Sequence, residues 1–408
     1  MKKKLRILLL LIFVLSAVKG FGITGYLITA RITGDANGKK VFLYSEADRK
    51  KPVDSTTIVN NKFELKGSVS YPSFFTLKVM KMADSGEKPG RPVYQPVIPI
   101  FIENTKIRIA AELDSIPDEL KLMMRTYSYR NIEITGSRLN DIYLSFMEKK
   151  NALDSKRSDI FMNEYIPYLN PKKGEEKGPL SKGVEIVSRI DKAAEERDAF
   201  VKQFAGKNHD NYVGLYVAGS SLAQFTGPDI DELLSVFQKG GLLSTEPGIQ
   251  FVEKAGKAKK TAIGSKYVDL DVQDQNGKPV RFSDFVAKGR YVLLEFWASW
   301  CGPCKADIPH LKEVYELYHP EGFDIVSVSV DENRDAWIKA IGEFGLTWPQ
   351  VSDLKAFKGD VTGTYGITGV PTCILLGPDG TIITRNMRGS WMDKKLIGLY
   401  GNKFGSHY

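Results

Sequence analysis

Hydrophobic and polar positions follow three different periodicities along the chain. Over residues 23–135, short apolar runs alternate with turn signals at the spacing typical of an all-β domain. Over residues 136–262, apolar positions recur every three or four residues, which predicts helices. From residue 263 to residue 408, predicted strands and helices alternate, which favours a mixed α/β domain with a central sheet. Examples are the turn signals Asn37-Gly38 and Asn60-Asn61 and the helical face formed by Leu139, Ile142, Tyr143 and Phe146.

This pattern predicts a multi-domain protein: a small β-sandwich-like domain, a helical middle region and an α/β domain. A length of 408 residues agrees with several modules, because it is two to three times that of a typical domain. Within the middle region, the charge-rich stretch 191–197 predicts a solvated helix face. The lysine- and alanine-rich stretch 253–262 predicts a linker into the last domain.

The first 22 residues have the features of a secretory signal peptide. Basic residues at positions 2–6 precede an apolar run from Ile7 to Val18, and small residues follow. A retained membrane anchor is the alternative, but twelve helical residues rise only about 18 Å against a hydrocarbon core of about 30 Å. We therefore expect export to the periplasm or cell envelope, with retention at the inner membrane if the segment is not cleaved.

The net charge gives no support for a nucleic-acid partner. The whole chain carries a formal charge of +8, but five of its basic residues lie in the first 22 positions, which contain no acid. Without that segment, 52 basic residues face 49 acidic ones. A surface with so small an excess of positive charge does not attract a polyanion strongly, so we predict no nucleic-acid binding.

Three cysteines are present, and their spacing points to chemistry rather than to structural disulfides. Cys301 and Cys304 are three apart, whereas Cys373 lies far downstream in an apolar run and is predicted to be a buried, inert side chain. An exported chain with a single close pair is not stabilised by a disulfide framework. A zinc site would need two further ligands, and no second C-x-x-C or close histidine pair supplies them, so we predict no metal.

The motif around the pair carries a family resemblance. The residues Trp297-Ala298-Ser299-Trp300-Cys301-Gly302-Pro303-Cys304-Lys305 follow a predicted buried strand and open a predicted helix. Residues 263–405 thus resemble thioredoxin-fold proteins of the TlpA/ResA type, which are exported thiol-disulfide oxidoreductases. The passage Val53-Asp54-Ser55, followed by Lys62 to Gly67, resembles the small β domain of unknown function that often precedes thioredoxin domains in exported Bacteroidetes proteins.

Two cysteines at a helix start suit thiol-disulfide exchange. The first thiol, Cys301, is expected to point toward solvent, where unpaired N–H groups and the helix dipole favour its thiolate. Cys304 lies one turn further in and is placed to resolve the mixed disulfide formed on Cys301. The redox centre is then the dithiol itself, and no cofactor is expected.

Glu295 is the candidate acid-base residue. It lies in the predicted apolar strand before the motif and matches the buried acidic position of thioredoxins. Burial would raise its pKa toward neutrality, so that it could accept the proton of Cys304, directly or through a water. A solvated position at the sheet edge is the alternative. Ser327 stands near the place where many cytosolic thioredoxins carry a buried lysine.

The resemblance also assigns substrate contacts. Val370 and Pro371 match the loop whose proline is cis in this fold, and the backbone of Val370 would pair with an extended substrate segment. An ordinary trans proline at a strand start is the alternative. Trp300, Gly302 and Pro303 would form the surface beside the cysteines.

The leading functional hypothesis is a periplasmic reductase of protein disulfides, recharged by a membrane thiol donor of the CcdA/DsbD kind. Apocytochrome c is among the candidate substrates. A disulfide oxidase or isomerase is the nearest alternative, because sequence does not fix the reduction potential. A thiol peroxidase of the AhpC/TSA kind is a further one, although Ala298 stands where a Thr-x-x-Cys arrangement would place its threonine. The upstream domains alternatively serve to bind a partner or form a homodimer.

Overall fold

The computed structural model describes residues 25–80, 94–124, 129–174, 176, 178–286 and 288–405. The predicted signal segment, residues 1–22, lies outside these ranges. Within them, no helix combines the length and the apolar character needed to cross a membrane.

The N-terminal domain consists of two facing sheets of four strands each. One sheet has the order β4-β1-β7-β8 and the other the order β3-β2-β5-β6. Apolar side chains from both sheets form one continuous core, which agrees with the predicted β-sandwich. The elements are β1 (Tyr26–Thr33), β2 (Lys40–Ser45), β3 (Asp54–Thr57), β4 (Lys62–Gly67), β5 (Ser73–Val79), β6 (Val97–Ile102), β7 (Lys106–Glu112), helix α1 (Glu119–Met124) and β8 (Ile132–Thr135).

The middle region is helical, and its first long helix is attached to the sandwich. The amide of Asn140 accepts a hydrogen bond from Phe101 N (2.9 Å) and donates one to Phe101 O (2.8 Å), so a buried polar side chain is fully paired with strand β6. Phe74 and Phe101 of the sandwich also pack against Tyr143 and Tyr216 of the helices. The helices are α2 (Arg138–Ile160), α3 (Ile166–Leu169), α4 (Leu180–Lys207), α5 (Tyr212–Ser220), α6 (Gly227–Lys239) and α7 (Glu246–Lys260).

One expectation for the middle region is wrong and another holds only in part. The stretch 253–262, expected to be a linker, is mostly helix: α7 continues to Lys260, because alanine and lysine favour helix and Phe251 and Ala255 are buried against neighbouring helices. The stretch 191–197 is helical, and Lys192 and Glu195 are exposed as expected, but the whole face is not solvated. Arg197 is buried beside Asp154 and Asp198, and Asp191 binds the last domain.

The C-terminal domain is a seven-stranded sheet with helices, in the strand order β10-β9-β13-β12-β11-β14-β15. Strand β11 is central: it runs parallel to β12 and antiparallel to β14. Apolar side chains are buried on both faces of this sheet, in two separate clusters. The elements are β9 (Asp271–Asp274), β10 (Pro279–Arg281), β11 (Tyr291–Trp297), α8 (Gly302–Tyr318), β12 (Phe323–Ser329), α9 (Arg334–Phe344), β13 (Gln350–Ser352), α10 (Asp360–Tyr365), β14 (Thr372–Leu376), β15 (Ile382–Arg385) and α11 (Ser390–Tyr400).

Residues 386–394, named here the bridging segment, join the middle region to the last domain. Its Trp391 donates to Asp191 of α4 (2.7 Å) and packs edge-on against Tyr165, with 5.0 Å between ring centroids. Lys394 donates to the same carboxylate (2.7 Å). Asp191 is therefore an interface residue. The predicted order of an all-β domain, a helical region and an α/β domain is confirmed.

Candidate active site: a dithiol at the start of helix α8

The two close cysteines form a disulfide at the N-terminus of α8. Cys301 is the N-cap residue, and its Sγ accepts a hydrogen bond from the backbone N–H of Cys304 at 3.2 Å. Pro303 has no N–H to offer, so Gly302 and Cys304 supply the free donors of this first turn. The sequence places the pair here because strand β11 ends at Trp297 and the helix begins at Gly302.

Exposure of the first sulfur differs from the expectation. Cys301 is only 4% exposed in the disulfide form, rather than directed at solvent. It packs in the same apolar cluster as Trp297, Ala298 and Cys304. Solvent instead reaches Trp300, which is 60% exposed, and the neighbouring Gly302 and Pro303. The exposed surface beside the disulfide is therefore formed in part by Trp300.

Glu295 is buried in the central strand, as predicted, and not solvated at an edge. Its side chain is 4% exposed, and β11 is flanked by β12 and β14. Burial raises the pKa of Glu295 to about 7, and a hydrogen bond from Ser327 opposes this rise. The carboxyl is thus poised to gain or lose a proton near neutral pH.

Ser327 lies directly beside Glu295 in the parallel pairing of β11 with β12. Its Oγ donates to Glu295 Oε2 at 2.7 Å and accepts from the indole N–H of Trp348 at 2.8 Å. The sequence pointed to Ser327 near the acid, but it gave no reason to connect Trp348 with the site.

Cys373 pairs with Glu295 across the antiparallel β11–β14 ladder and is buried, as expected. Burial raises the pKa of its thiol well above the usual value, and the nearby carboxylates of Glu295 and Asp307 raise it further. The thiol therefore stays protonated at neutral pH and is a poor nucleophile.

An arginine–aspartate ion pair lies between the active-site helix and the bridging segment. Arg388 Nε donates to Asp307 Oδ2 of α8 at 2.5 Å. The two groups have opposite effects on the buried acid: the negative charge of Asp307 raises the pKa of Glu295, and the positive charge of Arg388 lowers it.

The loop before β14 carries the predicted cis bond. The Val370–Pro371 peptide bond is cis, and both side chains are partly exposed. Val370 packs on the same apolar cluster as the two cysteines. A second exposed aromatic residue, Phe357, lies 6.5 Å from Trp300 between ring centroids.

A carboxylate holds the loop that precedes Cys301. Asp331 accepts hydrogen bonds from Ser299 N (2.9 Å), Ser299 Oγ (2.6 Å) and Ser329 Oγ (2.8 Å). Asp331 was not predicted as a site residue. Its signal was available, because Ser327 and Ser329 share one face of β12 and Asp331 follows at the same two-residue spacing just after the strand ends.

Comparisons with known proteins agree with this geometry. The model of the AhpC/TSA family matches residues 263–385, and that of a domain of unknown function (DUF4369) matches residues 26–143. The thiol-disulfide oxidoreductase ResA of Bacillus thuringiensis subsp. konkukian is 33% identical over 127 residues, which are 31% of this chain and 70% of that protein. This chain belongs to the ResA/TlpA-like thiol-disulfide oxidoreductases. ResA of Geobacillus kaustophilus is 34% identical over 36% of this chain and 82% of its own.

Solved structures of similar sequence cover the same part of this ResA/TlpA-like chain. The thioredoxin domain of a thiol-disulfide oxidoreductase from Bacteroides vulgatus is 34% identical, spans 35% of this chain and 99% of its own, and has a TM-score of 0.32. A thiol:disulfide interchange protein DsbE from Chlorobium tepidum, described as putative, is 28% identical over 34% and 93%, with a TM-score of 0.30.

Both expected resemblances are confirmed. The C-terminal domain is thioredoxin-like. The β domain matches a domain family of unknown function, as its sequence resemblance implied. The protein is accordingly a thiol-disulfide oxidoreductase. The structure places a sulfur pair at a helix N-terminus, which suits disulfide exchange, and a buried carboxyl whose pKa is raised to about 7 in the strand that leads to it.

Proposed function

We propose that the protein reduces disulfides of other proteins in the periplasm or cell envelope through Cys301 and Cys304. The observation that carries this proposal is the disulfide at the N-terminus of α8, with the N–H of Cys304 directed at the sulfur of Cys301. In the reduced state, the same donor stabilises a Cys301 thiolate, because the sulfur then carries a full negative charge.

The reaction proceeds in two exchanges. The Cys301 thiolate attacks one sulfur of the substrate disulfide, a bond forms between them, and the other substrate sulfur leaves as a thiolate. Cys304 then attacks the sulfur of Cys301, which re-forms the Cys301–Cys304 disulfide and releases the second substrate sulfur. The substrate gains two electrons and the protein loses two, so the dithiol is the only redox centre required.

Glu295 acts as the base of the second exchange. Its carboxylate takes the proton of the Cys304 thiol, directly or through a water, and leaves Cys304 as the attacking thiolate. A pKa of about 7 suits this role, since the carboxylate is then both present and basic at neutral pH. Replacement by glutamine keeps the shape and removes the base.

The substrate is an extended segment of another protein that contains a disulfide. It lies along Val370 and Pro371, and the exposed backbone offers hydrogen bonds as an added strand would. Trp300, Gly302 and Pro303, which are exposed next to the two cysteines in the chain, contribute further contacts. Apocytochrome c is one such substrate class, and a membrane thiol donor of the CcdA/DsbD kind would return the electrons.

Insulin reduction tests the proposal directly. The full chain with dithiothreitol should precipitate insulin faster than dithiothreitol alone, and Cys301→Ala should abolish the gain. Cys304→Ala should accumulate a mixed disulfide on Cys301, visible by mass spectrometry. Cys373→Ala, which removes the buried third thiol, serves as the matched control and should remain active. Full insulin reduction by a Cys301→Ala/Cys304→Ala variant would refute the proposal.

The direction of transfer is tested by the reduction potential of the pair. Equilibration with glutathione should place the potential on the reducing side of the periplasmic substrates, and a strongly oxidising value would favour the oxidase or isomerase alternative. About 30 mV corresponds to ~1.4 kcal/mol for this two-electron couple.

A thiol peroxidase is the second candidate, because the matched family model bears the AhpC/TSA name. The residues before Cys301 argue against it: Ala298 has no hydroxyl to polarise a peroxide, and the Ser299 hydroxyl is engaged by Asp331. Hydrogen peroxide consumption should be no faster for the reduced protein than for Cys301→Ala.

A further inference from the structure

Two successive hydrogen bonds connect the indole of Trp348, through Ser327, to the buried carboxyl of Glu295. Trp348 Nε1 donates to Ser327 Oγ at 2.8 Å, and Ser327 Oγ donates to Glu295 Oε2 at 2.7 Å. All three side chains are buried. The sheet holds Ser327, the middle residue of this hydrogen-bond chain, in place. Ser327 pairs with Glu295 in the β11–β12 ladder, and its backbone N–H donates to Pro349 O at 3.0 Å.

The hydrogen bonds from Trp348 to Ser327 and from Ser327 to Glu295 can be donated in only one direction. An indole N–H donates and never accepts, so it occupies a lone pair of the Ser327 hydroxyl. The single hydroxyl proton is then committed to Glu295 Oε2. Among the described residues, no other side chain or backbone group donates to this carboxyl. Its second oxygen, Oε1, is left without a protein donor.

We propose that Ser327 and Trp348 are positioning residues for the resolving step: together they fix the Glu295 carboxyl so that Oε1 exchanges the proton with Cys304. The inference rests on the proposed function. Ser327 supplies the hydrogen bond to Oε2, and Trp348 prevents the hydroxyl from rotating away. The hydrogen bonds of these two side chains lead to Glu295, so each acts through Glu295.

The proton balance of the step follows from this arrangement. The Glu295 carboxylate gains the Cys304 proton on Oε1 and becomes neutral, while Ser327 keeps its own proton and its bond to Oε2. Cys304 becomes the thiolate that attacks Cys301 and releases the substrate thiolate. The serine favours the charged form of the acid, because a donated hydrogen bond is stronger to a carboxylate than to a neutral carboxyl.

Other charged groups around the acid act without hydrogen bonds to it. Asp307 of α8 raises the pKa of Glu295, and Arg388 of the bridging segment lowers it. Cys373 of β14 faces the same position and stays neutral, since burial raises the pKa of its thiol. These groups remain in the Ser327, Trp348 and Trp337 variants that test this inference.

The first experiment follows the carboxyl itself by ¹³C NMR titration of the oxidised full chain, which needs no turnover. Ser327→Ala should raise the pH at which half of the Glu295 carboxyls are ionised by about one pH unit. At a given pH below that midpoint, roughly tenfold fewer Glu295 carboxyls are then ionised. Trp348→Phe should move it in the same direction by less. Ser327→Thr keeps the hydroxyl and should restore the midpoint.

A matched control separates lost hydrogen bonding from general disturbance of the core. Trp337 is equally buried, and its indole N–H has no hydrogen-bond partner among the described residues. Trp337→Phe removes the same atom as Trp348→Phe and should leave the Glu295 midpoint unchanged. An equal shift in both variants would overturn the role assigned to Trp348.

The second experiment measures resolution. The decay rate of a preformed mixed disulfide on Cys301 should rise with pH in the normal protein, and Ser327→Ala should move that rise to higher pH. In a Glu295→Gln background, Ser327→Ala should have no further effect on the pH profile. An unchanged NMR midpoint in Ser327→Ala overturns this inference, whereas a normal midpoint shift without any exchange activity refutes the proposed function alone.

Discussion

Replacing Glu295 with glutamine should remove a loss of stability that the C-terminal domain suffers as pH rises from about 4.5 to above 7. A pKa of about 7 in the folded protein, against 4.5 for an exposed glutamate, means that folding favours the neutral acid. The native state therefore binds more protons than the unfolded state between these two values. The stabilising contribution of this group is complete below about pH 4.5 and is lost as pH rises through 7.

The size of the effect follows from the pKa difference. Each pKa unit corresponds to ~1.4 kcal/mol, so the ionised acid costs the folded domain about 3 kcal/mol at pH 8 relative to pH 4. Glutamine cannot ionise, and it can still accept the hydrogen bond from Ser327. The amide N–H groups of the glutamine lack hydrogen-bond partners at every pH. They therefore lower the free energy of unfolding by an amount that does not change with pH.

Urea unfolding of the oxidised full chain measures this difference. All five tryptophans lie between Trp297 and Trp391, so their fluorescence reports on the C-terminal domain. The free energy of unfolding of Glu295→Gln minus that of the normal protein should rise by about 3 kcal/mol from pH 4 to pH 8. Glu343→Gln, at an exposed position of α9, is the control and should show no such rise. Parallel curves for Glu295→Gln and the normal protein would refute burial as the cause of the raised pKa.

Four further substitutions test the surroundings of the site. Asp331→Asn weakens the bonds that hold the loop before Cys301 and should destabilise the domain by roughly 2 kcal/mol in the same unfolding assay. Trp300→Ala should change stability by no more than about 0.5 kcal/mol, because this side chain is largely exposed, yet it should raise KM for insulin reduction. Asp307→Asn should lower the ¹³C titration midpoint of Glu295 and Arg388→Gln should raise it, since the two charges act on that carboxyl with opposite signs.

The sequence predicted those site residues that lie close together along the chain. Cys301, Cys304 and Glu295 lie within ten residues of each other, in one strand, turn and helix, so spacing and burial pattern were enough to place them. The cis bond at Pro371 came from the family resemblance. The low exposure of Cys301 could not be predicted, because it depends on how the disulfide packs in the apolar cluster.

Contacts between strands that are far apart along the chain could not be predicted from the sequence. Trp348 reaches Ser327 only because β13 lies beside β12, and neither strand order nor register can be read from a single chain. The stretch 253–262 was misjudged for another reason. Lysine and alanine are common in linkers and also favour helix, and burial of Ala255 against other helices decides between the two.

The bridging segment contacts both the middle region and the surroundings of the buried acid. Trp391 is held against the middle region by Asp191 and Tyr165, three residues after Arg388 pairs with Asp307 of the active-site helix. The positive charge of Arg388 lowers the pKa of Glu295. Because both sets of contacts lie in one short segment, the helical region packs directly beside residues that act on the buried acid and is not a detached spacer.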